Sequence, residues 1–237
     1  MVGAGITGAL VAERLTRQGL DVVIVDREHP GHGSTAASTS MLLWEIDRPL
    51  VELAAIYGFE RAVCAYRASL AAVTGLLSLV RSTNVSSEIR AKRSLYLATG
   101  SSTAELRDEH RLRSRAGLPG DFLDHGQLLE IFGMARAAAI VSSGAADADP
   151  LQLAHSLLRL AVARGARSFD AEAIAFDPAG AAVTVGFDND REIAARAVVL
   201  ATGYAMPDIV HSRVQAVSSS WAIATAPQPR FRNRWRR

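Results

Sequence analysis

The first residues of the chain carry a glycine pattern that is typical of phosphate binding. The stretch "MVGAGITGALVAERL" places Gly3, Gly5 and Gly8 at the spacing GxGxxG. In this pattern the first glycine allows a tight turn, the second lets a pyrophosphate approach the backbone, and the third lets the next helix pack on a strand. The amides that open this helix, at Ile6 and Thr7, then face the anion, and aligned peptide dipoles favour negative charge there. The pattern predicts a pyrophosphate-binding turn.

An acidic residue at the end of the next strand supports this prediction. The run "DVVIVD" predicts a buried parallel strand, and Asp26 ends it 18 positions after Gly8. A carboxylate at this place can accept both hydroxyls of an adenosine ribose, and it disfavours a 2′-phosphate. Arg27 directly follows and is expected at the same site. The segment predicts a βαβ unit that binds a dinucleotide, and the alternative is that the turn and Asp26 are only structural.

Composition excludes several other classes of function. The chain has 237 residues, 49% of them hydrophobic, which is enough for one large core or two smaller ones. Its 26 basic and 24 acidic residues give a net charge of only +2, so no nucleic-acid partner is predicted. A single cysteine, Cys64, excludes an intrachain disulfide and a cysteine-based metal site. His29 and His32 have no third ligand nearby in sequence, and no hydrolase or kinase motif is present.

The hydropathy pattern favours a cytoplasmic protein. The chain lacks the basic n-region and uninterrupted apolar core of a secretory signal. Its most apolar interior stretch, "ASLAAVTGLLSLV", is too short to cross a bilayer and is bounded by Arg67 and Arg81. We therefore expect no membrane span.

The remaining sequence alternates between helical and strand-like patterns. A polar loop, "HPGHGSTAASTSMLLWEID", precedes a helical pattern that runs from about Pro49 to Arg81 and is weakened at Gly58. A strand is predicted at "RSLYLAT" and a helix at "STAELRDEHRLRSRAGLPG". Asp149 and Pro150 predict the cap and first residue of a further helix, and the strands "AAVTVGF" and "ARAVVLATG" follow. These patterns predict an α/β fold.

Five segments together resemble the FAD-dependent oxidoreductases of the D-amino-acid oxidase and glycine oxidase type. They are the glycine turn, the strand-end acid, "GSTAASTSMLLWEID", "DADPLQLAHSLLRLAVARGA" and "ARAVVLATGY". The resemblance extends from Val2 to about Pro229 and implies FAD as the cofactor. It also implies a Rossmann-like FAD-binding domain with an inserted, incomplete α+β substrate domain. A nicotinamide dehydrogenase has no need of the last segment, and is the less favoured alternative.

The resemblance places further residues at the cofactor. In this family the ATG triplet closes a strand beside the flavin nucleotide, which implies that Thr202 and Gly203 lie there. Ile174 matches an apolar position whose backbone approaches the adenine in relatives. The loop after the second strand lines the pyrophosphate and the flavin ring, which implies roles for Ser34, Thr35, Ser38 and Thr39. For any one of these loop residues, a solvated connector is the alternative.

Both ends of the chain depart from the family pattern. Only Met1 and Val2 precede Gly3, where a parallel strand of about five residues is usual. At the other end the chain passes into "RFRNRWRR", in which five of eight residues are arginine. We interpret this as truncation or a shifted reading frame, with a disordered basic tail, rather than as a nucleic-acid-binding tail. The family's substrate arginine and active-site tyrosine cannot be placed, so the catalytic residues are unknown.

The expected organisation is discontinuous. Residues 1–84 and 141–210 form the FAD-binding domain, residues 85–140 and 211–229 a partial substrate domain, and residues 230–237 the tail. The resemblance implies oxidation of an amino acid or related small amine by hydride transfer to flavin. The alternative is a noncatalytic protein that retains the nucleotide fold. The sequence determines neither the substrate, the electron acceptor nor the oligomeric state.

Overall fold

The computed structural model describes residues 1–85, 87–98 and 103–207, together with positions 209, 210, 218 and 221. The predicted tail and most of the predicted segment 211–229 lie outside the described residues. The chain divides into two compact units. The first contains Met1–Ser40, Asn84–Glu88 and Ala148–Trp221, and the described part of the second contains Met41–Thr83 and Ile89–Asp147.

The first unit begins with the predicted turn, helix and strand. Its elements are α1 (Ile6–Arg17), β1 (Val23–Asp26), α6 (Pro150–Ala163), β6 (Arg167–Asp170), β7 (Ala173–Asp177), β8 (Val183–Phe187) and β9 (Glu192–Ala195). Strand β1 pairs with β6 in parallel, with Val23 opposite Arg167. Strands β7, β8 and β9 form a separate antiparallel sheet in that order. The predicted βαβ unit corresponds to Val2, α1 and β1, since Val2 forms a parallel bridge with Val25, and β6 is a further neighbour of β1.

The two residues before the glycine turn lie between neighbours on both sides. Val2 forms parallel bridges with Val25 and with Leu200. The Gly3 N–H donates to the Val25 carbonyl at 2.8 Å, and the Ala201 N–H donates to the Val2 carbonyl at 2.7 Å. This short segment thus has ladder hydrogen bonds to both neighbours, and it ties the turn to the end of the predicted "ARAVVLATG" strand.

Helix α1 packs on α6, and α6 begins as the sequence predicts. The Asp149 carboxylate accepts from the Gln152 N–H at 2.8 Å, with Pro150 as the first helical residue. Glu13 of α1 is buried, and its Oε1 lies 2.8 Å from Arg164 Nη1 at the end of α6. Because an unpaired buried charge is costly, this ion pair ties the two helices together.

The second unit is built around one long strand. Its elements are β2 (Met41–Leu42), α2 (Leu50–Tyr57), α3 (Phe59–Thr83), β3 (Arg90–Leu97), α4 (Ala104–Arg115), β4 (Asp121–Asp124), α5 (His125–Phe132) and β5 (Ala138–Asp147). Strand β5 pairs antiparallel with β2, β3 and β4. The division between the units therefore follows the end of β5, whereas the predicted domain boundary lies inside that strand.

The single helix predicted from Pro49 to Arg81 is two helices. Gly58 separates α2 from α3 with a φ of +83°, a left-handed conformation that favours glycine. Both helices pack in the second unit, where Leu50 and Tyr66 are fully buried with Trp44. The predicted FAD-binding range 1–84 includes these helices, but their core contacts place them with residues 89–147.

A buried ion pair holds α4 against the start of α2. The Glu109 carboxylate accepts from the N–H groups of Leu50 and Val51, both at 2.9 Å, and so supplies the cap that Pro49 cannot. Arg113 Nε donates to the same carboxylate at 2.6 Å, and both charged side chains are almost fully buried. This pair neutralises the carboxylate where water cannot reach it.

Helix α3 is long and apolar enough to cross a membrane by length and composition alone. It has 25 residues, and its most apolar 18-residue window has a mean hydropathy of 1.6 and is 22% buried. The sequence-based expectation considered only the stretch 68–80, which is part of this longer helix. One face, including Val63, Tyr66 and Val73, packs in the core of the second unit. Such a helix is weak evidence for a span, and no span is established.

Candidate cofactor site

A cavity of about 440 Å³ lies at the open end of the glycine turn in the first unit. It is lined by the start of α1, by the residues after β1, by the loop around Thr35, and by the segments 171–173 and 201–207. Its volume falls within the roughly 300–1,000 Å³ that is common for small-molecule sites. The segments that the sequence predicts for nucleotide binding thus meet around one cavity.

The three glycines of the turn have different roles. Gly3 has a φ of +104°, and a Cβ there would lie 2.3 Å from the Ala201 carbonyl oxygen. A Cβ on Gly8 would lie 2.0 Å from the Gly3 carbonyl oxygen. Gly5, by contrast, has a φ of −72°, and its Cβ would meet only Thr35 Oγ1, at 3.1 Å. Gly3 and Gly8 are therefore required for packing, whereas Gly5 leaves room in the cavity.

The start of α1 provides a place for an anion. Gly5 is the N-cap residue and has no side chain to cap the helix, and the first turn contains no acidic residue. Thr35 is 5% exposed, and its Oγ1 accepts from the Ile6 N–H at 3.0 Å. Thr7 lines the cavity beside them. Since the N-terminal end of a helix carries partial positive charge, this arrangement suits a pyrophosphate.

Asp26 both lines the cavity and fixes the turn. Its Oδ2 accepts from the Ala4 N–H at 2.6 Å, and its Oδ1 accepts from the Glu28 N–H at 3.0 Å. A carboxylate has about four acceptor positions, so capacity remains for ribose hydroxyls. Arg27 Nη1 lies 2.9 Å from Glu172 Oε1, and the hydrogen bond to Glu172 raises the pKa of the Arg27 guanidinium.

The ATG segment contributes an unsatisfied hydroxyl. Thr202 Oγ1 is buried at the cavity and has no hydrogen-bond partner among the described residues. Gly203 has a φ of +62°, and a Cβ there would lie 3.6 Å from Ser34 Oγ. A buried hydroxyl without a partner is unfavourable by about 1–3 kcal/mol, and a bound nucleotide can supply that partner. The open helix start, the room at Gly5 and this hydroxyl together fit FAD.

Most of the predicted cofactor residues line this cavity, and four do not. Those that line it are Gly3, Gly5, Ile6, Thr7, Asp26, Arg27, Ser34, Thr35, Thr202 and Gly203. Gly8 packs beneath the turn. Ser38 and Thr39 lie outside the lining, and Ser38 Oγ accepts from the Ser40 N–H at 3.0 Å. Ile174 is 64% exposed and outside the lining, where Glu172 and Ala173 stand instead.

The loop before Ser34 is anchored by His155, a role that no local sequence pattern indicates. His155 Nε2 on α6 donates to the Pro30 carbonyl oxygen across 2.7 Å. Gly31 follows with a φ of +82°, and a Cβ there would lie 2.7 Å from Leu151 Cδ1. The close approach to α6 therefore requires glycine. In the described part of the chain, no group of His, Cys, Asp and Glu is placed to hold a metal ion.

Comparisons with known proteins agree with this site. The family model for FAD dependent oxidoreductases matches residues 1–236. The chain is 26% identical over 178 residues to YhfW of Bacillus subtilis (strain 168), a candidate Rieske 2Fe-2S iron-sulfur protein; the match covers 75% of this chain and 34% of that protein.

Two solved structures show the same fold. Glycine oxidase from Geobacillus kaustophilus matches with a TM-score of 0.69 and 22% identity, over 84% of this chain and 53% of that one. Iminodiacetate oxidase from Chelativorans sp. BNC1 matches with a TM-score of 0.56 and 25% identity, over 81% of this chain and 51% of that one.

The chain thus spans about half the length of these solved structures and a third of the curated relative. The predicted α/β fold of the glycine oxidase type is confirmed. The family match covers the glycine turn, Asp26 and the ATG segment, which are the parts of the chain that form the cavity. The chain belongs to the family of FAD-dependent oxidoreductases, and its cofactor is FAD.

Proposed function

We propose that this protein oxidises an amino acid or a related small amine, with FAD bound in the cavity at the glycine turn. The observation that carries the proposal is the junction of the open α1 start, Asp26 and the unpartnered Thr202 hydroxyl around one cavity. The names of the two matched oxidases, for glycine and for iminodiacetate, support an amine as the substrate.

Hydride acceptance from the carbon next to the amine nitrogen is the chemistry that FAD would supply when bound; the amine would become an imine, which water would hydrolyse to a carbonyl compound and ammonia or a smaller amine. The chain's own residues bind and orient the cofactor. The amides at the start of α1 stabilise the pyrophosphate charge, and the Asp26 carboxylate accepts from the ribose. Thr202 Oγ1, which has no hydrogen-bond partner among the described residues, would gain one from the nucleotide.

The alternative is a noncatalytic protein that binds the nucleotide without turnover. Because the chain spans 53% and 51% of the two matched oxidases, their activity is only a proposal for it. No described residue is assigned a role in substrate binding or in proton transfer. The substrate and the activity are therefore part of the proposal.

A second candidate concerns the electron acceptor. Oxygen is the acceptor that the names of the two matched oxidases suggest. The name of the YhfW relative favours an iron–sulfur protein instead. Peroxide release under air supports oxygen, whereas turnover only with a one-electron acceptor such as ferricyanide excludes oxygen and is the result that an iron–sulfur acceptor requires.

The test is anaerobic reduction of the FAD-loaded protein. Purified protein is loaded with FAD and mixed without oxygen with glycine, sarcosine, iminodiacetate, proline and larger D- and L-amino acids. Glycolate is the matched control for glycine, since only the nitrogen is replaced by oxygen. Loss of the visible flavin absorption with an amine supports the proposal. Stable FAD binding without reduction by any amine supports the noncatalytic alternative, and binding of NAD in place of FAD supports a nicotinamide dehydrogenase.

We also propose a cytoplasmic location. The support is the single cysteine and the face of α3 that packs in the second unit. Fractionation of the source cells tests it, and recovery of the protein in the detergent-soluble membrane fraction contradicts it.

A further inference from the structure

The edge of the cofactor cavity carries an exposed ion pair beside Asp26. Arg27 directly follows β1, and Glu172 precedes β7, so the pair joins two segments that are far apart in sequence. Arg27 Nη1 and Glu172 Oε1 are 2.9 Å apart, and the two side chains are 53% and 45% exposed. Both residues line the cavity. The pair therefore lies where the cavity meets solvent.

The backbone around Glu172 is fixed independently of this pair. The Ala171 N–H donates to the Asp26 carbonyl oxygen at 3.1 Å. The Glu172 N–H donates to Asp188 Oδ1 at 3.1 Å, and the Asp188 N–H donates back to the Glu172 carbonyl at 3.1 Å. The Glu172 backbone is thus held on both sides, and its side chain is left to reach Arg27.

The position of the pair identifies the end of the cofactor that it faces. The glycine turn takes the pyrophosphate, and Asp26, one residue before Arg27, takes the ribose. The pair therefore borders the adenosine end of the cavity. Three carboxylates line this end, those of Asp26, Glu28 and Glu172, with Arg27 as the cation among them.

We propose that Arg27 and Glu172 form a strap across the adenosine end of the cavity, and that this strap slows the release of FAD. The inference rests on the FAD site of the proposed function but not on its substrate. Adenosine leaves the cavity only when the ion pair opens, so the strength of the pair determines how much it slows the release of FAD. An exposed pair of this kind corresponds to roughly a two- to fivefold change in rate.

The experiment compares FAD release from matched variants. The variants are Arg27→Gln, Glu172→Gln and the double variant. The control is Arg167→Gln, which removes an ion pair to Asp21 with the same 2.9 Å separation and 58% and 74% exposed side chains, outside the cavity lining. Preloaded protein is mixed with excess competitor, and the return of flavin fluorescence gives the dissociation rate. The same measurement is made with ADP, by competition, and with FMN, which lacks adenosine.

The strap predicts a specific pattern. Both single variants release FAD and ADP roughly two- to fivefold faster than the native chain, and the double variant is no faster than either. The difference disappears in 1 M salt, where the Debye length is about 3 Å. Release of FMN and the Arg167→Gln control are unchanged.

Three results overturn the strap. The first is unchanged release of FAD in Glu172→Gln, which leaves the proposed function standing. The second is faster release of FMN as well as FAD in Arg27→Gln but not in Glu172→Gln. This result would show that Arg27 binds the phosphate rather than closing over adenosine. The third is the absence of FAD and ADP binding by the native chain, which removes the cofactor site itself. No amine is present in these measurements, so a failure of amine oxidation does not affect them.

Discussion

Substitutions at Gly3 and Gly5 should separate the effect of the glycine turn on stability from its effect on cofactor binding. In Gly3→Ala, the new Cβ would lie 2.3 Å from the Ala201 carbonyl oxygen, where ordinary contact begins near 3.4 Å. The backbone must therefore move by about 1 Å, and overpacking of this kind is unfavourable by about 1–3 kcal/mol. The left-handed φ of +104° adds about 1–2 kcal/mol. We expect the free energy of unfolding to fall by roughly 2–5 kcal/mol.

Gly5→Ala should behave in the opposite way. The φ of −72° is ordinary for alanine, and the Cβ would lie 3.1 Å from Thr35 Oγ1, so a few tenths of an ångström of adjustment suffices. The free energy of unfolding of the apo protein should change by at most about 1 kcal/mol. The same Cβ occupies the space at the start of α1 where the pyrophosphate meets backbone amides. Loss of hydrogen bonds to a charged group is worth about 1.5–3 kcal/mol, so FAD should bind roughly ten- to a hundredfold more weakly.

The assay is urea unfolding of each apo variant, followed by fluorescence titration with FAD. A further variant, Gly5→Val, places a larger side chain in the same space and should abolish FAD binding. Native FAD affinity in Gly5→Ala and Gly5→Val would refute the assignment of Gly5 to the pyrophosphate. Native stability in Gly3→Ala would refute the packing argument.

The other predictions concern individual side chains. Asp26→Ala should weaken FAD binding by about 1–3 kcal/mol in a titration, and an unchanged affinity removes Asp26 from the site. Thr35→Val should lower the free energy of unfolding by about 1–2 kcal/mol, because the Ile6 N–H loses its acceptor. Arg113→Met should lower it by about 3–5 kcal/mol, because the buried Glu109 carboxylate loses its ion pair, and a smaller loss argues that water enters. Burial raises the pKa of the Tyr66 phenol. Its contribution to the free energy of unfolding is therefore complete below about pH 10 and is lost as the pH rises above that value. Urea unfolding at higher pH should show this decline, and Tyr66→Phe should reduce it.

Features that depend on local signals could be predicted from the sequence. The start of α6 follows from Asp149 as a cap and Pro150 as the first helical residue, and both were expected at these positions. The turn at Gly3 and the strand that ends at Asp26 were expected for the same reason. The residues that specify each of these elements lie in the element itself or directly beside it in sequence.

The long strand β5 could not be predicted in this way. Its sequence, "AAIVSSGAAD", has no clear alternation of polar and apolar residues, and nearly all of it is buried. It pairs with β2, β3 and β4, which come from 41–42, 90–97 and 121–124. Such pairing is decided by tertiary contacts rather than by local propensity. The predicted boundary between residues 140 and 141 falls inside this strand.

The residues that line the cavity also could not all be predicted from local sequence. Ile174 was expected near the adenine, but it is the preceding residues, Glu172 and Ala173, that line the cavity. Residues 171–173 all line it, so the cavity meets the chain where β7 begins rather than along one face of the strand. The pairing of Arg27 with Glu172 joins positions 145 residues apart, and no local pattern indicates it.

The most direct test of the central claim is hydrogen–deuterium exchange of the full chain with and without FAD. If FAD binds in the cavity of the first unit, exchange should slow together at the start of α1, at residues 26–35 and at residues 201–207. FAD binding that leaves all three segments unchanged, or that slows exchange only elsewhere, would contradict the account.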